Sequence, residues 1–306
     1  MPVPVDVGFL YSGSPQSLGA QYDAFVNALP ANTSIFPNKA GSGQNNQYDH
    51  LVAEAKRLVD NHQARVVVAA GGTICAQAAR DGVAASGAPN TPIVFTSVTD
   101  PRGSDLYHAN LTGVAGMTAE LDLARLRLLQ QANPTIITEI GVLRNTSRPN
   151  APQLWANLQA KADPRLHLTP GNVPAPPAPG QIRQVIQNLL GGATPIQALL
   201  VTADPMFHDL RSEVIRPGGA ALPIPAIYQW SDFVTDGGLM SFGPSLVEEY
   251  TAAGQYVGRI LGNVLPQNIP LYQPTKCELV INQATAKALG LALPRELVDR
   301  ADRMIK

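Results

Sequence analysis

Six short segments gather the residues whose types and spacing could do chemistry. Tyr11-Ser12-Gly13-Ser14, Gly71-Gly72-Thr73 and Thr96-Ser97-Val98-Thr99-Asp100 lie in the first third of the chain. Arg144-Asn145-Thr146, Thr202-Ala203-Asp204-Pro205 and Tyr228-Gln229-Trp230 follow. Small hydroxyl residues dominate the first set, which suits a carboxylate or another polar head group held by side-chain hydroxyls and helix-end amides. The second set offers a carboxylate, an arginine and two aromatic rings, which suit an ammonium group and an apolar body. The expected ligand contacts are Ser12, Ser14, Gly72, Thr73, Ser97, Thr99, Asp100, Asn145, Thr146, Asp204, Tyr228 and Trp230. Each has a competing local role. Ser12, Ser14 and Thr73 stand where helices begin and read equally as caps. Asp100-Pro101 and Asp204-Pro205 place Asp at a cap and Pro at the first helical position. Trp230 precedes a further cap signal, Ser231-Asp232, and Arg144 could pair with a surface carboxylate.

Signs of turnover are sparse. Gly71-Gly72-Thr73-Ile74 matches the Gly-Gly-Thr-Ile signature of bacterial-type asparaginases, whose threonine is a nucleophile. Those enzymes carry it on their first strand with a later His-Gly-Thr-Asp-Thr motif, and that second motif does not occur here. A nucleophile also needs a base and an orienting group, and the sequence signals neither around Thr73. There is no Gly-x-Ser-x-Gly elbow and no Walker loop. Gly41-Ser42-Gly43 lacks the third glycine of a dinucleotide fingerprint. The 5 histidines are scattered and no Cys/His spacing fits zinc. Binding without catalysis, cofactor or metal is the expectation.

Such segments need a framework that places them side by side. Val5 to Tyr11 reads as a strand, and Gln16 to Leu29 as a helix burying Leu18, Tyr22, Phe25 and Leu29 at spacings of three and four. A second helix spans Asn45 to His62. Arg65 to Ala70 is a continuous apolar run that suits a strand buried on both faces, and a helix runs from Gly71-Gly72-Thr73 to about Ser86. Pro92 to Val98 is the next strand. The pattern restarts with a helix from Thr118 to Asn133, stopped by Pro134. It continues with a strand from Ile136 to Leu143, a helix from Pro152 to Ala162 and a short strand at Arg165 to Thr169. The proline-rich loop Pro174 to Pro179 precedes a helix at Gln181 to Leu190 and strands at Ala198 to Thr202 and Ile224 to Tyr228. Strand-like Gly238 to Phe242, a helix from Ser245 to Leu261, strand-like Lys276 to Asn282 and a last helix near Arg295 to Ile305 complete the chain. Alternation of this kind means βαβ units and parallel sheets covered on both sides. In open sheets of that class ligands bind beyond the carboxyl ends of the strands, and there the six segments fall.

Composition agrees. A chain of 306 residues fits two domains. Lys plus Arg, 22, nearly balances Asp plus Glu, 23, so no basic field attracts nucleic acid. No stretch has the roughly 18 to 20 uninterrupted apolar residues of a membrane span. Two cysteines, Cys75 and Cys277, are too few for a disulfide framework and read as small apolar residues kept reduced. Met1-Pro2-Val3-Pro4-Val5 moves directly into an apolar run without the features of a signal peptide. That fits either a cytoplasmic protein or an exported one in mature form with Met1 added.

Several segments resemble the family of ABC-transporter substrate-binding proteins that includes the tryptophan-binding TrpX-type lipoproteins. The strongest is Gln273-Pro-Thr-Lys-Cys-Glu-Leu-Val-Ile-Asn282, continuing into Thr285-Ala-Lys-Ala-Leu-Gly290, Pro294 and Ala301-Asp302. Ala226-Ile-Tyr228 with Gly237-Gly-Leu-Met-Ser-Phe-Gly-Pro-Ser245 is a second, and Pro92-Ile-Val-Phe95 through Asp100-Pro101 to Asn110-Leu-Thr-Gly-Val114 a third. The family usually has phenylalanine where Cys277 stands. Arg102 stands where the family often has a small or apolar residue and Arg144 where an aromatic or neutral one is common, and either would favour an anionic ligand.

The resemblance implies a type I periplasmic-binding fold: two Rossmann-like lobes with parallel sheets joined by a three-segment hinge. The lobes expected are 1–117 with 242–275 and 118–241 with 276–306, crossing near Gly116 to Thr118, Gly238 to Ser241 and Lys276 to Leu279. It further implies a periplasmic or lipid-anchored monomer that closes on a small organic ligand, such as an amino acid (aromatic ones included) or a small organic acid, and delivers it to an ABC permease. A cytoplasmic ligand-sensing domain of the same fold would need a helix-turn-helix in front, and this chain begins at its first strand.

Overall fold

The computed structural model describes residues 5–13, 19–37, 48–98, 101–116, 120–133, 137–148, 150–175 and 177–306. Ser14, Thr99, Asp100, the glycines 41 and 43 and the expected helix start at Thr118 lie outside them. The chain divides into two compact units, Met1–Met117 with Leu246–Thr275 and Thr118–Ser245 with Lys276–Lys306.

In the first unit, five parallel strands are ordered β2-β1-β3-β4-β5, with β1 Val7–Tyr11, β2 Ile35–Pro37, β3 Val66–Ala70, β4 Ile93–Val98 and β5 Leu111–Ala115. The apolar runs follow from burial on both faces. Val67 and Ala69 of β3 join a core with Leu51, Leu58, Cys75 and Ala79, from the helices Tyr48–Asp60 and Gly72–Ala84. Val66, Val68 and Ala70 face the opposite core, with Phe25, Tyr250, Ala253 and Val257. At roughly 1.5 to 3 kcal/mol for each large side chain removed from water, two such layers hold the sheet firmly. The second layer is closed by the helix Leu246–Leu261, which returns from much later in the chain to pack on β3, β4 and β5.

The second unit holds β6 Glu139–Asn145, β7 His167–Val173, β8 Ala198–Val201, β9 Ala226–Tyr228, β10 Met240–Gly243, β11 Glu278–Asn282 and β12 Arg303–Ile305, ordered β12-β11-β10-β9-β8-β6-β7. All neighbours are parallel except β10 and β11, where Met240 faces Ile281 in antiparallel register.

Four expectations need correction. β2 and β5 are strands that the periodicity did not announce, being three residues long in one case and interrupted by Gly113 in the other. The final segment is a short helix, Arg295–Asp299, followed by β12 rather than one helix to Ile305, because Arg303–Ile305 finds hydrogen-bonding partners along β11. The middle passage between units falls at Ser245–Leu246. Gly238 to Ser241 lies inside the second unit, since β10 pairs with both β9 and β11, which also puts residues 242–245 there.

Candidate functional site

Both sheets contain the same local order of strands: β2-β1-β3-β4-β5 in one and β7-β6-β8-β9-β10 in the other. The direction of winding therefore reverses between β1 and β3, and again between β6 and β8. At such a point the connections leave on opposite faces and open a crevice at the carboxyl ends of the strands. Ser12 and Gly71-Gly72-Thr73 follow β1 and β3, while Asn145 ends β6 and Thr202 to Asp204 follow β8. Four of the six expected segments thus flank the two switch points, each within its own unit, and the other two begin at the ends of β4 and β9, the next strands along.

In the first unit, Ser12 is 3% exposed, its N–H donates to the Ala70 carbonyl at 3.3 Å, and its hydroxyl reaches the Gly71 carbonyl at 3.5 Å. This approach requires glycine. Gly71 has φ +133°, and a Cβ there would lie 2.3 Å from Ser12 Oγ. Gly71 is also the N-cap of the helix Gly72–Ala84 and makes no side-chain cap bond, so Gly72 and Thr73 lie in the first turn and Thr73 is not a cap. The first amides of that helix are left for another acceptor. Thr73 is half-buried, and among the described residues it has no hydrogen-bonded base of the kind a nucleophile needs. Cys75, two residues on, is fully buried, and burial pushes its thiol far up, so it is inert as a nucleophile.

Ser97, at the end of β4, has φ +56°, a left-handed conformation uncommon for a residue with a side chain. The register between β4 and β5 shifts between Phe95 and Val98, and this bulge turns the serine out of the ladder. Its hydroxyl donates to Glu249 Oε2. Glu249 is fully buried in the first turn of the helix Leu246–Leu261, and its Oε1 has no hydrogen-bond partner. Burial pushes its carboxyl up to about 7, against the smaller opposing effect of the Ser97 hydroxyl.

In the second unit, Asn145 donates from Nδ2 to Asp204 Oδ2 at 2.9 Å and accepts the Ser147 N–H at 2.8 Å. Arg148 donates from Nε to the same Asp204 oxygen at 2.7 Å and from Nη2 to the Ala203 carbonyl at 2.7 Å. Asp204 caps the helix Pro205–Asp209, its Oδ1 accepting the Met206 N–H at 2.9 Å. Both oxygens of Asp204 are therefore engaged inside the protein, and the ammonium contact expected of it is already satisfied by a guanidinium. Thr146 is exposed. Tyr228 is 1% exposed and stacks on Phe233 at 4.6 Å, and burial pushes its hydroxyl far up. It is a core ring rather than a presented one. Arg144 is also occupied: its guanidinium lies over Trp155 at 5.2 Å and donates to the Ala151 carbonyl.

Trp230 differs. It is 5% exposed, meets the His208 ring edge-on at 5.4 Å, and its Nε1 has no acceptor. The adjacent Gln229, 2% exposed, has neither its amide oxygen nor its amide nitrogen partnered. His208 itself bonds through Nε2 to Asp232 at 3.0 Å. Burial opposes its charge, yet Asp209 and Asp232 more than offset that and raise its pKa. Buried polar atoms without partners are rare in native proteins. Their concentration at Trp230, Gln229, Thr96 and Glu249, all at or beside carboxyl ends of strands, marks positions that a bound molecule could complete.

The sequence did not reveal Glu249, Arg148 or His208, and it placed Gln229 in a candidate segment without singling it out as a contact. Glu248-Glu249 reads as acidic residues favouring a helix start, and only packing separates the inward glutamate from its neighbour. Among the described residues there is no cluster of acidic, histidine or cysteine side chains able to hold a metal ion, and no helix is long and apolar enough to cross a membrane.

Comparison with known proteins agrees with this architecture. A family model described as ABC transporter substrate binding protein matches residues 16–305. A search of curated proteins finds no match. Among solved structures, the ABC domain in complex with L-Trp from Streptococcus pneumonia superposes with a TM-score of 0.80 at 21% identity, covering 98% of this chain and 100% of that one. A conserved domain protein from Vibrio cholerae gives 0.80 at 21% identity, covering 97% and 98%. The periplasmic component of an ABC-type sugar transport system from Hahella chejuensis gives 0.61 at 13% identity, covering 89% and 98%. The fold is that of the type I periplasmic-binding proteins.

Proposed function

The chain belongs to the family of ABC transporter substrate-binding proteins, and on that premise we propose that it is the extracytoplasmic solute receptor of an importer. Its ligand is a small organic molecule, an amino acid (aromatic ones included) or a small organic acid, and it delivers that ligand to a permease in the membrane. Solute docks on the first unit through Ser12, Ser14, Gly72, Thr73, Ser97, Thr99 and Asp100. The second unit contributes Asn145, Thr146, Asp204, Tyr228 and Trp230. Of these, Trp230 is the contact with a free donor, while Asp204 and Tyr228 act by holding the loops in place. Closure about the three chain passages is the motion by which such receptors trap a ligand. The protein acts as a monomer and leaves the solute chemically unchanged.

One observation carries this reading: each sheet reverses its winding between two strands that end in polar segments, and unpartnered buried donors and acceptors stand at the carboxyl end of the next strand along, β4 or β9, and on the helix start beside β4. Micromolar affinity is about −8 kcal/mol, within reach of a few desolvated hydrogen bonds and one buried ring. A ligand at a hundred times its dissociation constant stabilises the native state by about 2.7 kcal/mol, or roughly 5 °C in melting temperature for a chain of this size. The test is a thermal-shift screen over amino acids, aromatic acids and small amides, followed by calorimetric titration of the hits. Stabilisation by one chemical class, with one-to-one stoichiometry, is expected. A melting temperature unmoved by every compound overturns the receptor reading.

A further inference from the structure

Glu249 presents a problem that the fold does not solve. The helix that carries it packs on β3, β4 and β5, whose sequences VVVAA, IVFTSV and LTGVA contain no ionisable side chain. It packs also on the helix Ala20–Asn27, whose ionisable residues are Tyr22 and Asp23, neither of them a cation. Glu249 stands four and eight residues before Ala253 and Val257, on the buried stripe of its helix. An alanine or leucine would fill such a position without cost. A carboxylate there is deprived of water, which is unfavourable unless a counter-charge and hydrogen bonds replace it. The Ser97 hydroxyl supplies one bond and, among the described residues, is the one influence beside burial on the ionisation of Glu249. Among the described residues, the counter-charge is missing.

The surroundings are arranged around this carboxyl. Ser97 reaches it from a left-handed backbone conformation at a bulge, the kind of local strain that persists where function requires it. One residue earlier, Thr96 is fully buried with an unpartnered hydroxyl. Val94 belongs to the core formed with Tyr250, Ala253 and Val257. Two unpartnered oxygens, Thr96 Oγ1 at this strand end and Glu249 Oε1 on the helix that packs against β4, are therefore both present in this part of the unit. That end of β4 is the carboxyl edge along which Ser12 and Gly71 to Thr73 also lie. The carboxylate of the second unit is no competitor, because both oxygens of Asp204 are already bonded to Asn145, Arg148 and Met206.

We propose that Glu249, held by Ser97, is the receptor for a primary ammonium group of the transported solute, so that the ligand is an amino acid or another small amine rather than a simple organic acid. The ammonium donates to Glu249 Oε1 and to a neighbouring hydroxyl, and it brings the positive charge the site lacks. The assignment rests on the solute-receptor reading above. A carboxyl that titrates near neutrality must ionise to receive the cation, so binding releases a proton when the pH is below the carboxyl's own value.

The test uses matched pairs that differ only in the amino group: L-tryptophan with indole-3-propionate, and L-phenylalanine with 3-phenylpropionate. Each is titrated calorimetrically into the wild-type protein and into Glu249→Gln. The expected result is that at least one amine binds about tenfold or more tightly than its deaminated partner, and that the preference disappears in Glu249→Gln. From about pH 6 to about pH 8 the ionised fraction of a group titrating near 7 rises about tenfold, and amine affinity for the wild type should rise with it. The proton released at the lower pH appears as a binding heat that depends on the buffer. Equal binding of the deaminated compounds to the wild type overturns the assignment without any variant, and leaves the receptor reading intact. A preference that survives in Glu249→Gln overturns it likewise. If the wild type binds no member of either pair and no compound in the wider screen, the receptor reading itself fails.

Discussion

Replacing Glu249 by glutamine should change how stability depends on pH, even with no ligand present. In the folded protein burial holds the carboxyl at about 7, against an ordinary value of 4.5. A raised value means that the native state binds its proton more tightly than the unfolded chain does. Below about pH 4.5 the group is neutral in both states and costs nothing. As the pH rises, the unfolded chain ionises first and gains stability relative to the native state, until the native carboxyl also ionises near 7. At about 1.4 kcal/mol for each unit of pKa, the full loss is about 3 kcal/mol. Most of it, about 2.5 kcal/mol, develops between about pH 5 and pH 8. Glutamine keeps the shape and cannot ionise, so it is exempt. Urea unfolding of both proteins across that range should give curves whose difference widens by about 2 to 3 kcal/mol in favour of the variant as the pH rises, with a corresponding drift in melting temperature. Parallel curves would show that the carboxyl is solvated or paired, and would refute the reasoning from burial.

Other expectations test different parts of the framework. Arg125 is fully buried, bonded to Asp122 at 2.5 Å and to the Phe242 carbonyl at 2.7 Å. Burial lowers the arginine's pKa and raises the aspartate's despite their pairing. Arg125→Met should therefore destabilise by about 3 to 5 kcal/mol in urea unfolding, and combining it with Asp122→Leu should recover much of that. Gly71→Ala forces a Cβ to within 2.3 Å of Ser12 Oγ at a φ of +133°. It should lower the melting temperature and weaken solute binding, whereas Gly219→Ala, which also has positive φ but no neighbour within 4 Å, should lower stability alone. His208 has its pKa raised above 6.5, because Asp209 and Asp232 outweigh the burial that opposes its charge. Its contribution is complete below about pH 6 and is lost as the pH rises through its folded value. His208→Gln should be less stable than wild type at about pH 5.5, with the gap narrowing toward about pH 8.

Much of the framework was legible because its signals are local. Val66 to Ala70 is apolar at every position, and a strand buried on both faces permits nothing else. The polar residues that follow β1, β3, β6 and β8 stand where parallel strands end, so their positions in the sequence placed them at the sheet edge before any coordinates did. Pairing across distance was not legible. The antiparallel register of β10 with β11, and the conversion of Arg303–Ile305 from expected helix to strand, depend on segments tens of residues apart.

At the candidate site the division is sharper. The sequence by itself determined which loops follow the buried strands, because alternating apolar runs and amphipathic helices mark where each strand ends, while the strand order that brings those loops to a switch point came from the fold. Tertiary structure alone decided which side chains in those loops remain available. Asp204 read as a helix cap or a ligand contact beside Pro205; it is the cap, and its other oxygen is bonded to Asn145 and to Arg148, 59 and 56 residues away. Glu249 stands beside Glu248 at a helix start and carried no signal of its own in the sequence, yet it packs toward an apolar sheet with an unpartnered oxygen. The physical reason is that backbone form is set by neighbours along the chain, whereas desolvation and hydrogen-bond partnership are set by whatever the fold brings into contact.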